Sequence, residues 1–532
     1  MAFRLIVLLV LNFLCLQCRG MNILMFISAM GHSHVSFNGN IAEVLIDAGH
    51  NLTILHMFLD PDVKSRATQR ASKYILYKPD NVDFSGFMNM TAKTPACFNP
   101  NRPTGTDLPM LFSTRMKVCE AMINDDDLWK ELNSTKFDLA ISEYNEDCQE
   151  GIFDVLGIKT TVMTSAISIY NPVYHNHGIP NIPSFMPSVI LPYTPVMSLK
   201  QRAINAIVNY KIEGLYKWST EAINEFYKKK FGPDFPDLMD LRKKKTAFTF
   251  LNSNEHVDFV GPITTKIKHV GGMKPRKVDP IPERMLKIIQ NKKGFVILSF
   301  GTFARSHTVP EHIRQGIVAA FQHFPDYAFF WKYQVSEEDD LRFLSGTDNV
   351  FLEDWLPQYA LLNHEKCKVF ITHAGCNSVL EAVAVGVPMI AVPLFNDQLH
   401  NAAVVSDKKI GILLGRENLN QVGLTLALQQ MLKDPESSFH VQSRIYSQRI
   451  KDSHAIMSPE AMVVKHVEYA GKHGPMTDMD LASGRLSLLQ LYLLDVFIPL
   501  IFGSILVLIL FFYILKAILS KIFKAKPKNK KE

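Results

Sequence analysis

A strand, a three-residue turn and a helix follow one another after Val369, and few folds accommodate that order. The run Val369-Phe370-Ile371-Thr372 is apolar and β-branched, stops at His373-Ala374-Gly375 and gives way to a helix from Cys376. Such a unit belongs to α/β folds, and its turn offers backbone N–H groups to an anion such as a pyrophosphate. Asn377 and Glu381 stand i,i+4 on one helix face. Asn377 is thus expected to face phosphates while Glu381, a turn deeper, accepts from two ribose hydroxyls. Trp355 offers an aromatic plane for a base, and Gln358 can donate and accept at a base edge. Taken singly, each of these residues is better read as packing or a solvated charge. Their joint order and spacing over 355–398 point instead to a nucleoside-diphosphate sugar held without a metal.

The same alternation recurs along the chain. A strand over 23–27, a helix with Phe37, Ile41, Val44 and Leu45 on one face ending at Gly49, and a strand over 52–58 make a βαβ opening. Strands are expected again at 137–142 and 159–164. Five prolines within 180–195 preclude a helix or central strand, so this stretch reads as a loop over a pocket. After Gly271-Gly272 and a proline-marked linker, strands at 295–300 and 328–333 flank a helix at 311–324. The expected fold is α/β: two doubly wound Rossmann-like domains, 21–273 and 274–470, with a cleft between them.

The ends carry addresses. Residues 1–20 read as a secretory signal, with Arg4 before an apolar stretch. Beyond a juxtamembrane segment, 471–495, residues 496–515 are uncharged and long enough to cross a bilayer once. The tail, 516–532, holds seven Lys and one Glu, which account for the whole formal charge of +6. The folded part is nearly neutral, so nothing suggests nucleic acid, and the positive-inside rule places the tail in the cytosol. Of the seven cysteines, Cys15 and Cys18 leave with the signal, and one bridge among Cys97, Cys119 and Cys148 suits an oxidising lumen. The sequons at Asn51, Asn89 and Asn133 read as glycosylation sites, the latter two preferred. Asp125-Asp126-Asp127 lies in a helical region away from any strand end and does not read as a metal site. The basic runs 228–230 and 242–245 read as solvated helix faces.

The segment 355–398 resembles the signature of the UDP-glycosyltransferase superfamily, and the resemblance extends from Gly31 through the membrane anchor. It implies the GT-B architecture, uracil stacking by Trp355, and uracil or ribose contact by Gln358 and Glu381. It implies further that His373, Gly375, Asn377 and Ser378 hold the diphosphate and that Asp397 and Gln398 grip sugar hydroxyls. The family usually has glycine where this chain has Ala374; positive φ costs alanine about 1 kcal/mol or more, so φ < 0 is expected there.

The turn after the first strand, Gly31-His32-Ser33-His34, lies where such sheets bind ligands. A histidine near a helix N-terminus is kept neutral and able to act as a base. By resemblance His34 is that base, oriented by an acid at the end of the strand 138–143, where Glu143 replaces the usual Asp. Glu146, Asp147 and Glu150 are alternates. Support for the leaving group falls to Ser299, Gly301 and Thr302 and to the turn at His373–Ser378. The implied reaction is an inverting transfer of a hexose, glucose favoured or glucuronate, to a hydroxyl of a small lipophilic acceptor, in detoxification-type conjugation. Phe84, Phe87, Met88, Met110, Phe112, Phe185 and Met186 are candidates to line the acceptor site. No cofactor or metal is expected. The partners are the UDP-sugar, the acceptor and a membrane crossed once, with homo- or hetero-oligomers allowed. The C-terminal lysines Lys528 and Lys530 resemble a retrieval signal of the endoplasmic reticulum membrane. The alternative is a non-catalytic UDP-sugar- or lipophile-binding or regulatory membrane protein, favoured if Glu143 cannot reach His34.

Overall fold

A computed structural model describes residues 20–90, 93–102, 105–276, 278–335, 341–432 and 437–524. Residues 1–19 of the expected secretory signal and the two lysines of the expected retrieval signal, Lys528 and Lys530, lie outside these described residues.

Apolar runs with no polar face cannot sit at a water-exposed sheet surface, and here they form two wholly parallel sheets covered by helices. The first sheet comprises β1 (Asn22–Ala29), β2 (Asn51–Phe58), β3 (Lys73–Tyr77), β4 (Leu139–Glu143), β5 (Thr161–Ser165), β6 (Thr246–Leu251) and β7 (Ile267–His269). Its order is β3-β2-β1-β4-β5-β6-β7. The second comprises β8 (Gly294–Ser299), β9 (Tyr327–Lys332), β10 (Val350–Glu353), β11 (Cys367–Thr372), β12 (Met389–Ala391) and β13 (Gly411–Leu413), in the order β10-β9-β8-β11-β12-β13. Both are doubly wound Rossmann-like sheets, as expected.

Five helices position the site or the anchor: α1 (His32–Asp47), α2 (Leu199–Phe231), α3 (Cys376–Val385), α4 (Pro459–His473) and α5 (Leu494–Lys524). Helix α1 stops because Gly49, at φ +91°, turns the chain back so that the His50 N–H reaches the Leu45 carbonyl. Although α4 follows the second sheet in the chain, its Val463, Val467 and Ala470 share the core of Ile23, Met25 and Ile41 under the first. Helix α5 is long and apolar enough to cross a membrane, and it contains Pro499.

In each sheet the strand order reverses once, between β1 and β4 and between β8 and β11. Loops leaving adjacent strands part there and open a crevice. The turns after β1, β4, β8 and β11 therefore form the two walls of a single gap.

Cys119 and Cys148 form the disulfide, joining the Leu108–Asn124 helix to the start of the Cys148–Val155 helix. The residues between Asn176 and Leu199 carry neither helix nor strand. All three sequon asparagines are exposed; Asn51, although it opens β2, is turned outward. Asp125 caps the Asp126–Asn133 helix by accepting from the backbone N–H groups of Asp127 and Leu128. The basic run 242–245 departs from expectation. Arg242 is buried and pairs with Asp147 and Glu150 at 2.6 and 2.7 Å, because its helix packs against the acidic start of the Cys148–Val155 helix.

Candidate active site

The gap between the two crevices is a cleft of about 430 Å³. His34 lies at its first-domain wall, in the first turn of α1. Glu143 lies at the end of β4, one strand away across the switch point. His34 Nδ1 stands 2.7 Å from Glu143 Oε1, so the longer side chain makes the contact. The carboxylate is held from several sides: Oε1 accepts from the Ala166 N–H and from Asn145 Nδ2, each at 3.0 Å, and Oε2 from Asn38 Nδ2 at 3.1 Å. Asn38 is fixed in turn by the Thr164 hydroxyl at 2.8 Å. With Nδ1–H donating to a carboxylate, Nε2 keeps its lone pair for the cleft.

Burial alone would lower the His34 pKa. The charge and hydrogen bond of Glu143, with a further contribution from Asp397, outweigh it, and the pKa ends above its ordinary value. The ring expected to be kept neutral at the helix N-terminus is thus biased toward its charged form by the facing carboxylates. His32 is exposed to solvent and hydrogen-bonds Ser65, and its pKa is lowered by partial burial and by Lys332. Glu146, Asp147 and Glu150 pair with Arg115 and Arg242 and do not reach His34.

The opposite wall comes from the second sheet. Ser299, Gly301, Thr302, Trp355, Gln358, His373, Gly375, Asn377, Ser378, Glu381, Asp397 and Gln398 all line the same cleft as His34. Gly301, at φ +83°, leaves room for the His373 ring: a Cβ there would stand 2.7 Å from it, and one on Gly375 2.6 Å. His373 is thus clamped between two glycines. Burial, then Lys332, lowers its pKa to about 4, so it is neutral near pH 7. Gln358 Nε2 donates to Glu381 at 2.7 Å, and burial raises the Glu381 pKa. Gln398 Oε1 accepts from the Leu394 and Phe395 N–H groups, and the residue lines the cleft beside Asp397. Asn377 accepts at 2.7 Å from Asn252 of the first domain, a partner not foreseen.

Ala374 departs from expectation, with φ at +63°. The backbone must turn left-handed to carry β11 into α3, and the residue is buried there. Its strain is compensated by the Thr372 hydroxyl, which accepts from its N–H, and by Asn401, which donates to its carbonyl.

Sequence reasoning missed Lys332, at the end of β9. Its Nζ donates to the Gly301 carbonyl at 3.1 Å and lies 4.6 Å from the Trp355 ring centre. Burial lowers its pKa to about 8. Only its place at the C-terminal end of a strand beside β8 could have flagged it. Asn38 and Asn145 were also missed. Of the aromatic and methionine candidates for the acceptor wall, Phe112 lines the cleft; Phe84 and Phe87 are core, and Met88 and Phe185 face solvent. Tyr170, Val189, Ile190 and Tyr216 complete that wall, two of them from the proline-rich loop.

A family model described as "UDP-glucoronosyl and UDP-glucosyl transferase" matches residues 23–532. The chain belongs to that family. The transferase is 27% identical to a putative UDP-glucuronosyltransferase, ugt-47, of Caenorhabditis briggsae, over 92% of each chain. It is 26% identical to UDP-glucosyltransferase 2 of Dactylopius coccus over 93% of each. Among solved structures, the glycotransferase of kitacinnamycin superposes with a TM-score of 0.59 at 16% identity, covering 85% of this transferase and 99% of that chain. A Polygonum tinctorium UDP-glucosyltransferase gives 0.58 at 16% identity, with 86% and 99% covered. These likenesses agree with the fold: two parallel-sheet domains of GT-B type and one C-terminal apolar helix.

Proposed function

We propose that this transferase moves a hexose, glucose in preference to glucuronate, from a UDP-sugar to a hydroxyl of a small lipophilic acceptor, inverting the anomeric carbon. His34 Nε2 takes the acceptor proton. The acceptor oxygen bonds to the anomeric carbon as the bond to UDP breaks, and Glu143 stabilises the imidazolium that forms. The departing charge is met by the N-terminus of α3, by Lys332 and by the polar ends at Ser299 and Thr302. The His373 ring, clamped at the cleft wall between Gly301 and Gly375, suits a diphosphate oxygen. Trp355, 57% exposed, takes the uracil, and Gln358 with Glu381 the uracil edge and ribose.

The observation that carries this reading is that His34, from the first wall, and Asp397, from the second, line one and the same cleft, so a sugar held at Asp397 would face the base. A neutral hexose is favoured because the sugar end offers a carboxylate and an amide. The Lys and Arg that line the cleft are engaged elsewhere: Lys332 beside Trp355, Arg115 with Glu146 and the Asn145 carbonyl. Lys332 and the dipole of α3 stand where a divalent ion would otherwise serve, so the reaction is proposed to need no metal. We place the enzyme in the endoplasmic reticulum membrane with its domains luminal, on the signal-like start, the Cys119–Cys148 bridge and the basic tail. Conjugation of xenobiotics is the role that fits an apolar acceptor wall.

Membranes bearing wild-type or His34→Ala protein, given a panel of UDP-sugars and phenolic acceptors with and without EDTA, test this by UDP release and product mass. A β-glucoside unaffected by EDTA is expected, with turnover at least ~10²-fold lower in the variant. Equal turnover in both proteins removes the base; a glucuronide as the main product overturns the donor assignment.

A further inference from the structure

Two hydrogen bonds tie the acceptor wall to the His34–Glu143 pair, and both start in one short loop. Residues 166–170 follow β5 and line the cleft with Ala166, Ile167 and Tyr170. The loop is set by its own polar groups. The Ser165 hydroxyl donates to the Ile167 carbonyl at 2.9 Å, and the Tyr170 carbonyl accepts from the Val173 and Tyr174 N–H groups that open the Asn171–Asn176 helix. From one end of the loop the Ala166 N–H reaches Glu143 Oε1 at 3.0 Å. From the other the Tyr170 hydroxyl donates to Asn145 Oδ1 at 2.9 Å.

Asn145 is where the second bond takes effect, because an amide turned through half a circle exchanges a donor for an acceptor. As it stands, its Nδ2 donates to Glu143 Oε1 at 3.0 Å and lies 3.2 Å from His34 Nδ1. The Nδ1–H donates to the same carboxylate oxygen at 2.7 Å, so two N–H groups converge on one acceptor. Turned over, the amide would set its oxygen against that carboxylate and within reach of Nδ1–H, drawing the imidazole off Glu143. The Tyr170 O–H holds Oδ1 on its own side and opposes the turn. The backbone beneath is fixed as well, since Arg115 donates to the Asn145 carbonyl. Glutamate has one more rotatable bond than aspartate to immobilise, which gives these contacts more to hold.

We propose that Tyr170 is a positioning residue: its hydroxyl, acting through Asn145, keeps Glu143 against His34. Its ring stands 6.2 Å from that of Tyr216 on α2, and Tyr216 meets Phe112 edge-on at 5.0 Å. The wall that receives an apolar acceptor is thus packed onto the group that sets the pair, and changes at the Tyr170 hydroxyl alter the rate of transfer rather than the affinity for the acceptor. The inference rests on His34 as the base of the proposed reaction; the contacts themselves are tested without turnover.

Tyr170→Phe keeps the ring and removes the hydroxyl. In the full chain in membranes, kcat is expected to fall about tenfold, with the acceptor and UDP-sugar KM each within about twofold of wild type. Asn145→Ala should lose at least as much, and the double variant no more than Asn145→Ala alone, because the hydroxyl then has nothing to orient. Losses that multiply, or an acceptor KM that rises with kcat unchanged, overturn the proposal. The charged groups that bear on His34 are Glu143 at the end of β4, Asp397 across the cleft and Arg115 from the Leu108–Asn124 helix. Asn145→Asp adds a carboxylate where Nδ2 now stands 3.2 Å from Nδ1. Carbethoxylation of His34 by diethyl pyrocarbonate, which follows the neutral ring and is located by fragment mass, should shift its midpoint up by about one pH unit or more. An unmoved midpoint overturns the place given to Asn145. A midpoint that moves while His34→Ala turns over like wild type upholds the chain of contacts and overturns only the assignment of the base.

Discussion

Two carboxylates compete with burial for the proton on His34, and the pH profile reports which wins. Because the His34 pKa is raised, the acid limb of kcat/KM should fall above the ordinary imidazole value of about 6.5. Glu143→Gln removes the nearer charge and leaves burial dominant, so the limb should move to lower pH while kcat at its plateau falls by roughly 10²–10⁴ through loss of imidazolium stabilisation. A limb that stays in place would mean that Glu143 does not set the base. Ala374 makes a second residue-scale case. At φ +63° glycine relieves strain of about 1–2 kcal/mol but gives up a buried methyl and gains freedom in the unfolded chain, so Ala374→Gly should change stability by under about 1 kcal/mol. Ala374→Val, β-branched at positive φ in a closed core, should cost more than about 2 kcal/mol in denaturant unfolding. Valine as stable as alanine would contradict the left-handed turn. Most of the wall proposed to hold the donor was legible because those residues follow one another in the segment 355–398 with a readable spacing. Lys332, Asn38 and Asn145 were not, because single polar residues at strand ends carry no local pattern until the sheet places them.

At the scale of elements, period and punctuation sufficed for β1, α1, β2, β8, β9 and the β11–α3 unit, where apolar runs end at glycine or at a polar turn. They failed where tertiary contact decided the outcome. The 242–245 run reads as a wet face by composition, yet Arg242 is drawn inward by two buried carboxylates whose pairing no local window contains. The β8 turn illustrates how an element carries function without touching chemistry. Gly301 gives His373 its place, so Gly301→Ala, with a Cβ 2.7 Å from the ring, should push the imidazole into the end of the cleft proposed to hold the diphosphate. We expect the UDP-sugar KM to rise about tenfold with the acceptor KM unchanged, alongside a stability loss of about 1–2 kcal/mol from the positive φ. A rise in acceptor KM alone would place His373 elsewhere in the reaction.

For the whole molecule, the proposed transfer needs two domains whose walls face one cleft, and most of the contacts that hold them lie outside the signature. Asp62 bridges Lys93 of its own domain to Arg305 of the other. Asn252 accepts from the Cys376 thiol through its carbonyl and donates to Asn377 at the head of α3. The deepest contact is a plug: Cys97 and Phe98 of the first domain sit in the second-domain core with Val296 and Leu298, and Phe98 meets Phe300 edge-on at 5.5 Å. Arg416 fastens it by donating to the carbonyls of Cys97 and Arg102 at 3.0 and 3.2 Å. Cys97, only 2% exposed, reports the plug's opening. Burial pushes its thiol up to about 12 despite the nearby Arg416, so it is inert while docked and an ordinary thiol when released. Arg416→Ala removes two charge-assisted hydrogen bonds, together worth about 1.5–3 kcal/mol, which corresponds to a ten- to hundredfold larger open population. Native-state alkylation of Cys97, followed by peptide mass, should accelerate by that factor, with the UDP-sugar KM rising because the open cleft no longer faces His34. Losing Arg416 also raises the docked thiol's pKa, which slows reaction from the closed state, so any acceleration reports opening alone. Unchanged alkylation would show that apolar packing of Phe98, and not the guanidinium, holds the domains together.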